Sequence, residues 1–394
     1  MTAPTTADAF GRFPGSAVFE EREHEFRRRI REYLVGDPAP PFDRNDPRTS
    51  LPATLAWHGR LAAAGLALPV SPPEFGGRLR SVGEQLIQAE EMAAVGANFS
   101  VNIVGISMLT PLLLAFGSDE QKRTWLPPAA RGEQLWCQLF SEPEAGSDLF
   151  GMRSTAVPDD EWLVVRGQKT WSSTADHADY GLMLARTEPG STGRSGIGCF
   201  VVDMRSPGLT VRPIRQLGGP AEFAEVFFDD VRVPRENVIG ELGGGALAAL
   251  RVLAAERSGL SMGFYAVLAA QFEALVRLAP PGGGRYRMDL VALWEALAVQ
   301  RLGAIRQASA PSSDQTSLGA AAAGKLAVGS LNVQFNELRA RLLGPRAFAF
   351  EDGDRGLAAI SERMVSSLAL SLGGGTHQVQ RNAIAEGLLG MPRS

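Results

Sequence analysis

Four short stretches hold most of the residues that could do chemistry. Ser141-Glu-Pro-Glu-Ala-Gly-Ser-Asp148 joins two small hydroxyl donors, Ser141 and Ser147, to Gly146, whose missing side chain lets backbone approach a ligand closely. Trp171-Ser-Ser-Thr174 sets an indole beside three hydroxyls. Glu256-Arg257 stands in a helical pattern in which Leu253, Leu260 and Phe264 share the face of Glu256. A carboxylate among Leu and Phe has its pKa pushed up from about 4.3, as a general base requires. Gly374-Gly-Thr-His377 opens the last helical segment. Each stretch has a plain alternative: a polar turn between domains, a core tryptophan, a structural Glu-Arg pair and a helix cap.

Three kinds of element must position them. Helical periodicity runs over Phe19–Leu34, Leu51–Ala64, Ser81–Ala94, Val101–Phe116 and Ser118–Trp125, the last opened by Ser118 ahead of two acids. Short runs rich in Val, Leu and aromatics follow at Trp162–Val165, Leu182–Ala185, Gly198–Val202, Leu209–Arg212 and Glu225–Val233, with a hairpin turn at Pro158-Asp159-Asp160. Helical pattern returns in four long segments near 246–278, 287–311, 315–343 and 361–389, broken at Pro280-Pro281-Gly282-Gly283-Gly284 and at Pro311. The fold class read from this order is α+β, mostly α: a helical domain over 1–135, a β-sandwich or barrel over 136–245 and a four-helix bundle over 246–394.

Composition narrows the functions available. The chain of 394 residues carries 39 basic and 43 acidic side chains, so no basic excess exists to track a phosphate backbone, and no nucleic-acid partner is expected. Cys137 and Cys199 are too few for a disulfide framework, and four His with no Cys pair give no metal site. His24 and His58 are expected to be solvated. The first residues lack a secretory pattern and read as a loose tail. The uncharged stretch Met92–Ser118 is interrupted by Gly, Asn and Pro, so a buried helix pair is expected there and no membrane span. The expected location is the cytoplasm.

Four motifs, in order, resemble those of the acyl-CoA dehydrogenase family. Trp136-Cys-Gln-Leu-Phe-Ser-Glu-Pro-Glu-Ala-Gly-Ser-Asp148 is similar to the family's first signature, and Gly167-Gln-Lys-Thr-Trp-Ser-Ser-Thr-Ala-Asp-His-Ala-Asp179 to its flavin-contacting segment. Ala224-Glu-Val-Phe-Phe-Asp-Asp-Val-Arg-Val-Pro234 and Gly374-Gly-Thr-His-Gln-Val-Gln-Arg-Asn382 complete the set. The resemblance implies an FAD enzyme that dehydrogenates an acyl thioester, on coenzyme A or a carrier protein, to the 2,3-enoyl thioester. It implies an electron-transferring flavoprotein as acceptor and a homo-oligomer, dimer or tetramer.

Carried over by position, Gln138, Phe140 and Ser141 lie along the flavin, Gly146 is a cofactor contact, and Ser147 is near the pyrophosphate or the substrate. Trp171 and Ser173 contact the ring system, and Thr376 and Gln378 are further cofactor contacts. In the family's straight-chain members the catalytic Glu stands directly before the Gly-Thr of the last motif; here that position is Gly374, whose N–H keeps the role of donor to the thioester carbonyl. Other members carry the base on a bundle helix before an Arg, which maps it to Glu256, with Arg257 on the substrate. The family's Arg-x-x-Phe-Gly is replaced by Arg277-Leu-Ala-Pro-Pro-Gly-Gly-Gly-Arg285. These departures are similar to a bacterial branch acting on bulky thioesters such as steroid side chains, some of whose members pair two unlike subunits. Two rival readings stay open: a non-catalytic partner subunit of a heteromeric enzyme, and a flavin-dependent oxidase or monooxygenase on the same fold.

Overall fold

The computed structural model describes residues 19–44, 46–97, 99–309, 316–348 and 355–392. The tail expected at the start of the chain lies outside them. The helices are α1 (Glu21–Gly36), α2 (Pro47–Ala63), α3 (Val82–Ala94), a π-helix (Val104–Leu109) running into α4 (Thr110–Phe116), and α5 (Asp119–Ala130). Seven strands follow: β1 (Trp136–Leu139), β2 (Thr155–Asp159), β3 (Trp162–Ser173), β4 (Tyr180–Arg186), β5 (Ile197–Asp203), β6 (Leu209–Ile214) and β7 (Phe223–Pro234). The chain ends with α6 (Gly245–Leu278), α7 (Arg287–Ser309), α8 (Thr316–Leu343), α9 (Arg355–Ser366) and α10 (His377–Gly387). Among the described residues no helix is long and apolar enough to cross a membrane.

Two compact units divide the chain, and the boundary falls within α6 between Glu256 and Arg257. The helical unit gathers the described residues of Met1–Pro38, Arg80–Ala97 and Arg257–Ser394. Its core joins Leu86 of α3 to Tyr265, Phe272 and Leu275 of α6, Leu290 and Leu297 of α7, and Leu331, Phe335 and Leu338 of α8. Glu90 on α3 receives hydrogen bonds from Arg27 of α1 (2.6 Å), Tyr265 of α6 (3.2 Å) and Arg301 of α7 (2.9 Å), tying four helices through one carboxylate. Ser81 caps α3 by the reciprocal pairing with Glu84 that Ser-x-x-Glu encodes. The segment 361–389 is not one helix: α9 ends at Ser366, a 3₁₀ turn spans Ser367–Ser371, and α10 starts only at His377. Gly374 (φ 66°) and Gly375 (φ 90°) take left-handed backbone between them, which a continuous helix cannot contain.

The sheet unit holds the remaining described residues. Its strands form one seven-stranded sheet in the order β1-β4-β2-β3-β7-β6, with β5 on β4. β1 runs parallel to β4, and β3, β6 and β7 form an antiparallel ladder. β4 and β5 are covered on both faces, so they read as continuous apolar runs. Leu182, Leu184, Cys199 and Val201 pack with Leu112, Leu113 and Trp125 of α4 and α5; Met183, Phe200 and Val202 pack with Leu163, Val165 and Val226. Gly245 opens α6 where a Cβ would stand 2.6 Å from the Gly198 carbonyl carbon, so β5 and the helix start approach through backbone alone. The 101–116 pattern is also broken: a 3₁₀ turn and the π-helix precede α4. His58 is buried on α2 beside Trp57, not solvated, because it shares a face with Thr54 and Leu61.

Candidate active site

β1 leads into the Ser141–Asp148 loop, and its entry is fixed before the loop begins. Asn102, fully buried, donates to Ala129 O and Gln134 O (both 3.0 Å) and accepts from Trp136 N–H (3.1 Å). Trp136 stacks on Tyr180 at 5.1 Å. The loop itself turns tightly, with reciprocal Glu142–Ala145 backbone bonds of 3.1 Å. Beneath it lies a buried ion pair. The Lys169 ammonium, 0% exposed, donates to Glu142 (2.7 Å) and to Phe140 O (3.0 Å). Glu142 also accepts from the N–H groups of Arg153 (2.6 Å) and Ser154 (3.0 Å). Burial pushes the Lys169 ammonium down to about 8 against the upward pull of Glu142. Burial also works against the Glu142 carboxylate, but Lys169 and its hydrogen-bond donors outweigh it and hold the group below the usual range.

Trp171 owes its position to a register change. Lys169 pairs with Val226 and Ser172 with Ala224, so Thr170 and Trp171 face the single residue Glu225 across the ladder. Such a bulge bends the strand and re-aims a side chain. Trp171 takes φ 59°, rare for a residue with a bulky side chain, and its indole is 58% exposed, edge-on to Phe223 at 5.9 Å. Two bonds brace the strained segment. Thr170 N–H donates to Ser141 O (2.9 Å), joining the bulge to the loop, and Thr174 N–H donates to Glu222 O (3.0 Å). Arg44 then grips the Glu222 carboxylate with two bonds of 2.6 and 2.7 Å.

Around this frame stands a row of uncommitted polar groups. The Gln138 amide and the hydroxyls of Ser141, Ser147 and Ser173 hydrogen-bond to nothing among the described residues. Gly146 is exposed, and a Cβ placed on it would meet nothing within 4 Å. Phe140 is buried behind the loop. An exposed aromatic plane flanked by free donors and an open backbone segment suits a planar, polar-edged cofactor such as a flavin.

The structure thus joins the bulged end of β3, with Trp171 and Ser173, to the loop after β1 through the Thr170–Ser141 and Lys169–Phe140 bonds; Gln138 lies on β1, and Phe140, Ser141, Gly146 and Ser147 in and beside that loop. Gly374, Thr376 and Gln378 lie together in the helical unit, at the start of α10. Thr376 is the N-cap of that helix, its hydroxyl accepting from Val379 N–H at 3.2 Å. Gln378 is exposed with a free amide, and the Gly374 N–H has no acceptor among the described residues. Glu256 and Arg257 are in α6, and their side chains lie outside the described residues. Sequence reasoning gave no role to Glu142, Lys169, Arg44 or Glu222. β3 carries no local signal for the pair, because Lys169 stands in the polar run Arg166-Gly-Gln-Lys-Thr170 and its burial arises only in the folded sheet.

Comparison with known proteins matches the acyl-CoA dehydrogenase N-terminal domain to residues 20–133, the middle domain to 137–231 and the C-terminal domain to 243–389. The acyl-CoA dehydrogenase IpdE1 of Mycobacterium tuberculosis is 36% identical over 342 residues, covering 86% of this chain and 88% of that protein. Two solved structures superpose well. The Tcur3481-Tcur3483 steroid ACAD gives a TM-score of 0.83 at 26% identity, and the ChsE4-ChsE5 complex from Mycobacterium tuberculosis 0.80 at 29%. Each match covers 95% of this chain and 99% of the other. Three matched domains in succession, with a relative above one-third identity along most of the sequence, make this chain a member of the acyl-CoA dehydrogenase family of flavin oxidoreductases.

Proposed function

We propose that the chain catalyses FAD-dependent 2,3-dehydrogenation of an acyl thioester to the enoyl thioester. The observation that carries this reading is the exposed Trp171 indole at the strained bulge, set among free donors. Gln138, Ser141, Ser147 and Ser173 would hold the cofactor by hydrogen bonds, with the Phe140 main chain and the Trp171 indole beside its ring system, Gly146 leaving room and Thr376 and Gln378 as further contacts. When bound, FAD supplies the two-electron acceptor to which the β-hydrogen departs as hydride.

Glu256 takes the α-proton as general base, so one proton and one hydride leave and a C2–C3 double bond remains. Gly374 N–H donates to the thioester carbonyl oxygen, where negative charge builds as the α-proton leaves. Its lack of an acceptor among the described residues supports this role. Arg257 and Ser147 orient the thioester. The acyl group is bulky and steroid-like, by analogy with the Tcur3481-Tcur3483 steroid ACAD. The thioester is on coenzyme A, the acceptor is an electron-transferring flavoprotein, and the enzyme works in the cytoplasm.

Visible absorbance of the purified chain tests the reading. Oxidised flavin that bleaches anaerobically with a steroid side-chain acyl-CoA is the expected result, and Glu256→Gln should keep the flavin but lose the bleaching. Full bleaching by that variant sinks the base assignment. A second reading is favoured by the two-chain names of both superposed structures. In it this chain completes the site of an unlike homologous subunit. A colourless chain that takes up FAD only when co-expressed with such a partner would favour that reading over a homo-oligomer.

A further inference from the structure

The Gly374–Gly375 loop is held from inside the helical unit by one side chain to which nothing above assigns a role. Gln380 lies in the first turn of α10 and is 0% exposed. Its amide nitrogen donates to Gly374 O (3.0 Å) and to Gly375 O (3.2 Å). Its amide oxygen is buried with no partner among the described residues. A leucine of similar size would spare the buried oxygen but lose both bonds to the loop, so what the amide contributes is those two bonds. What the amide does is grip two successive peptide planes. Each plane is rigid, so fixing the two carbonyls fixes the backbone on the C-terminal side of Gly374. On the other side Gly373 N–H donates to Ala369 O at 2.9 Å. The Gly374 N–H between these anchors is left free. Gly375 leaves room for the grip: a Cβ there would stand 2.5 Å from the Gln380 nitrogen.

We propose that Gln380 is the positioning residue for the carbonyl donor, aiming the Gly374 N–H by clamping the Gly374 and Gly375 carbonyls. The proposal rests on the reading of Gly374 as that donor, and it concerns a residue that touches neither substrate nor cofactor.

Gln380→Leu in the full chain removes both donors and keeps the volume. Amide hydrogen exchange in a peptide covering residues 372–377 should quicken by about tenfold while α8 is unchanged. With an accepted acyl-CoA, kcat should fall about 10- to 100-fold and KM stay within about threefold, as for an interaction realised in the transition state. Gln380→Glu faces two carbonyls with a carboxylate, and its protonation restores one donor. Its activity should therefore rise toward acid pH along a limb that the wild-type profile lacks. Unchanged exchange in Gln380→Leu, or a Gln380→Glu profile that tracks the wild type, overturns the clamp. If the wild-type chain is reduced by no acyl thioester, the dehydrogenase reading fails separately, and the exchange rates still decide whether Gln380 orders the loop.

Discussion

The Ser141–Asp148 loop of the sheet unit and the glycine loop of the helical unit are fixed by opposite means. Under the first lies a buried ion pair, Lys169 with Glu142, backed by two backbone N–H donors. Under the second lies a neutral amide gripping two carbonyls, with left-handed glycines supplying the shape. The charged clasp tolerates little change, because a buried charge that loses its partner is stranded in a poor solvent. The neutral clamp is weaker, but it does not respond to pH in the neutral range. The two loops are thus built to different tolerances.

The largest test of that contrast is Lys169→Met, which leaves Glu142 buried and unpaired. It should cost about 3–5 kcal/mol in denaturant unfolding and abolish flavin retention. A loss below about 1 kcal/mol would erase the distinction between the two loops. Gly375→Ala comes next: the new methyl meets Gln380 at a φ of 90°, so about 2–3 kcal/mol should be lost. Gly344→Ala, at φ 59° with open space around it, is the control and should cost about 1 kcal/mol. Trp171→Gly should leave stability within about 1 kcal/mol of wild type, because relief of the left-handed strain offsets the lost contact with Phe223. Flavin retention in that variant, read from bound absorbance after gel filtration, should fall about tenfold.

The smallest effect is set by pH. In the folded chain Lys169 loses its proton near 8, while in the unfolded chain it keeps it to the ordinary 10.5. Linkage therefore makes this group's contribution to stability rise with pH across that window, since the unfolded state binds more protons. The clasp nonetheless weakens, because a neutral amine no longer balances Glu142. Flavin retention should fall about threefold from pH 7 to 9 with no drop in melting temperature, followed by the fluorescence of released flavin. The glycine loop should show no such change. His377, held below its ordinary 6.5 by burial and by Lys325 and Arg381, is already neutral throughout that range.

Much of the frame was legible because its signals are local. Ser81 and Ser118 cap helices through Ser-x-x-Glu and Ser-x-x-Gln, and Asp160 turns the β2–β3 hairpin as the Pro-Asp-Asp run predicts. β1 and β2 escaped notice because one is four residues long and the other is buried at a single position. The motifs named the residues around Trp171 and the start of α10. They could not reveal the bulge, which depends on how many residues the partner strand supplies, nor the Lys169–Glu142 pair, whose members are 27 positions apart and meet only in the folded sheet. Gln380 was invisible for the same reason: its partners lie across a left-handed turn that periodicity reads as helix.

One feature of β3 and β7 bears on how this protein can change in evolution. At Trp171 the extra residue belongs to β3, while between Val165 and Gly167 the surplus belongs to β7, where Asp229 and Asp230 face Arg166 alone. The two irregularities cancel, so Trp162–Val165 and Ser172–Ser173 share one phase and only Gly167–Lys169 is displaced. Deleting Trp171 alone would remove its bulge and leave Lys169 and Ser172 on their partners Val226 and Ala224, each still on the buried face, because a bulge keeps the pairing on either side of it. Single-residue changes in length should accordingly be tolerated at the two bulges and rejected within the regular stretches, where a slip exchanges the apolar and solvent faces.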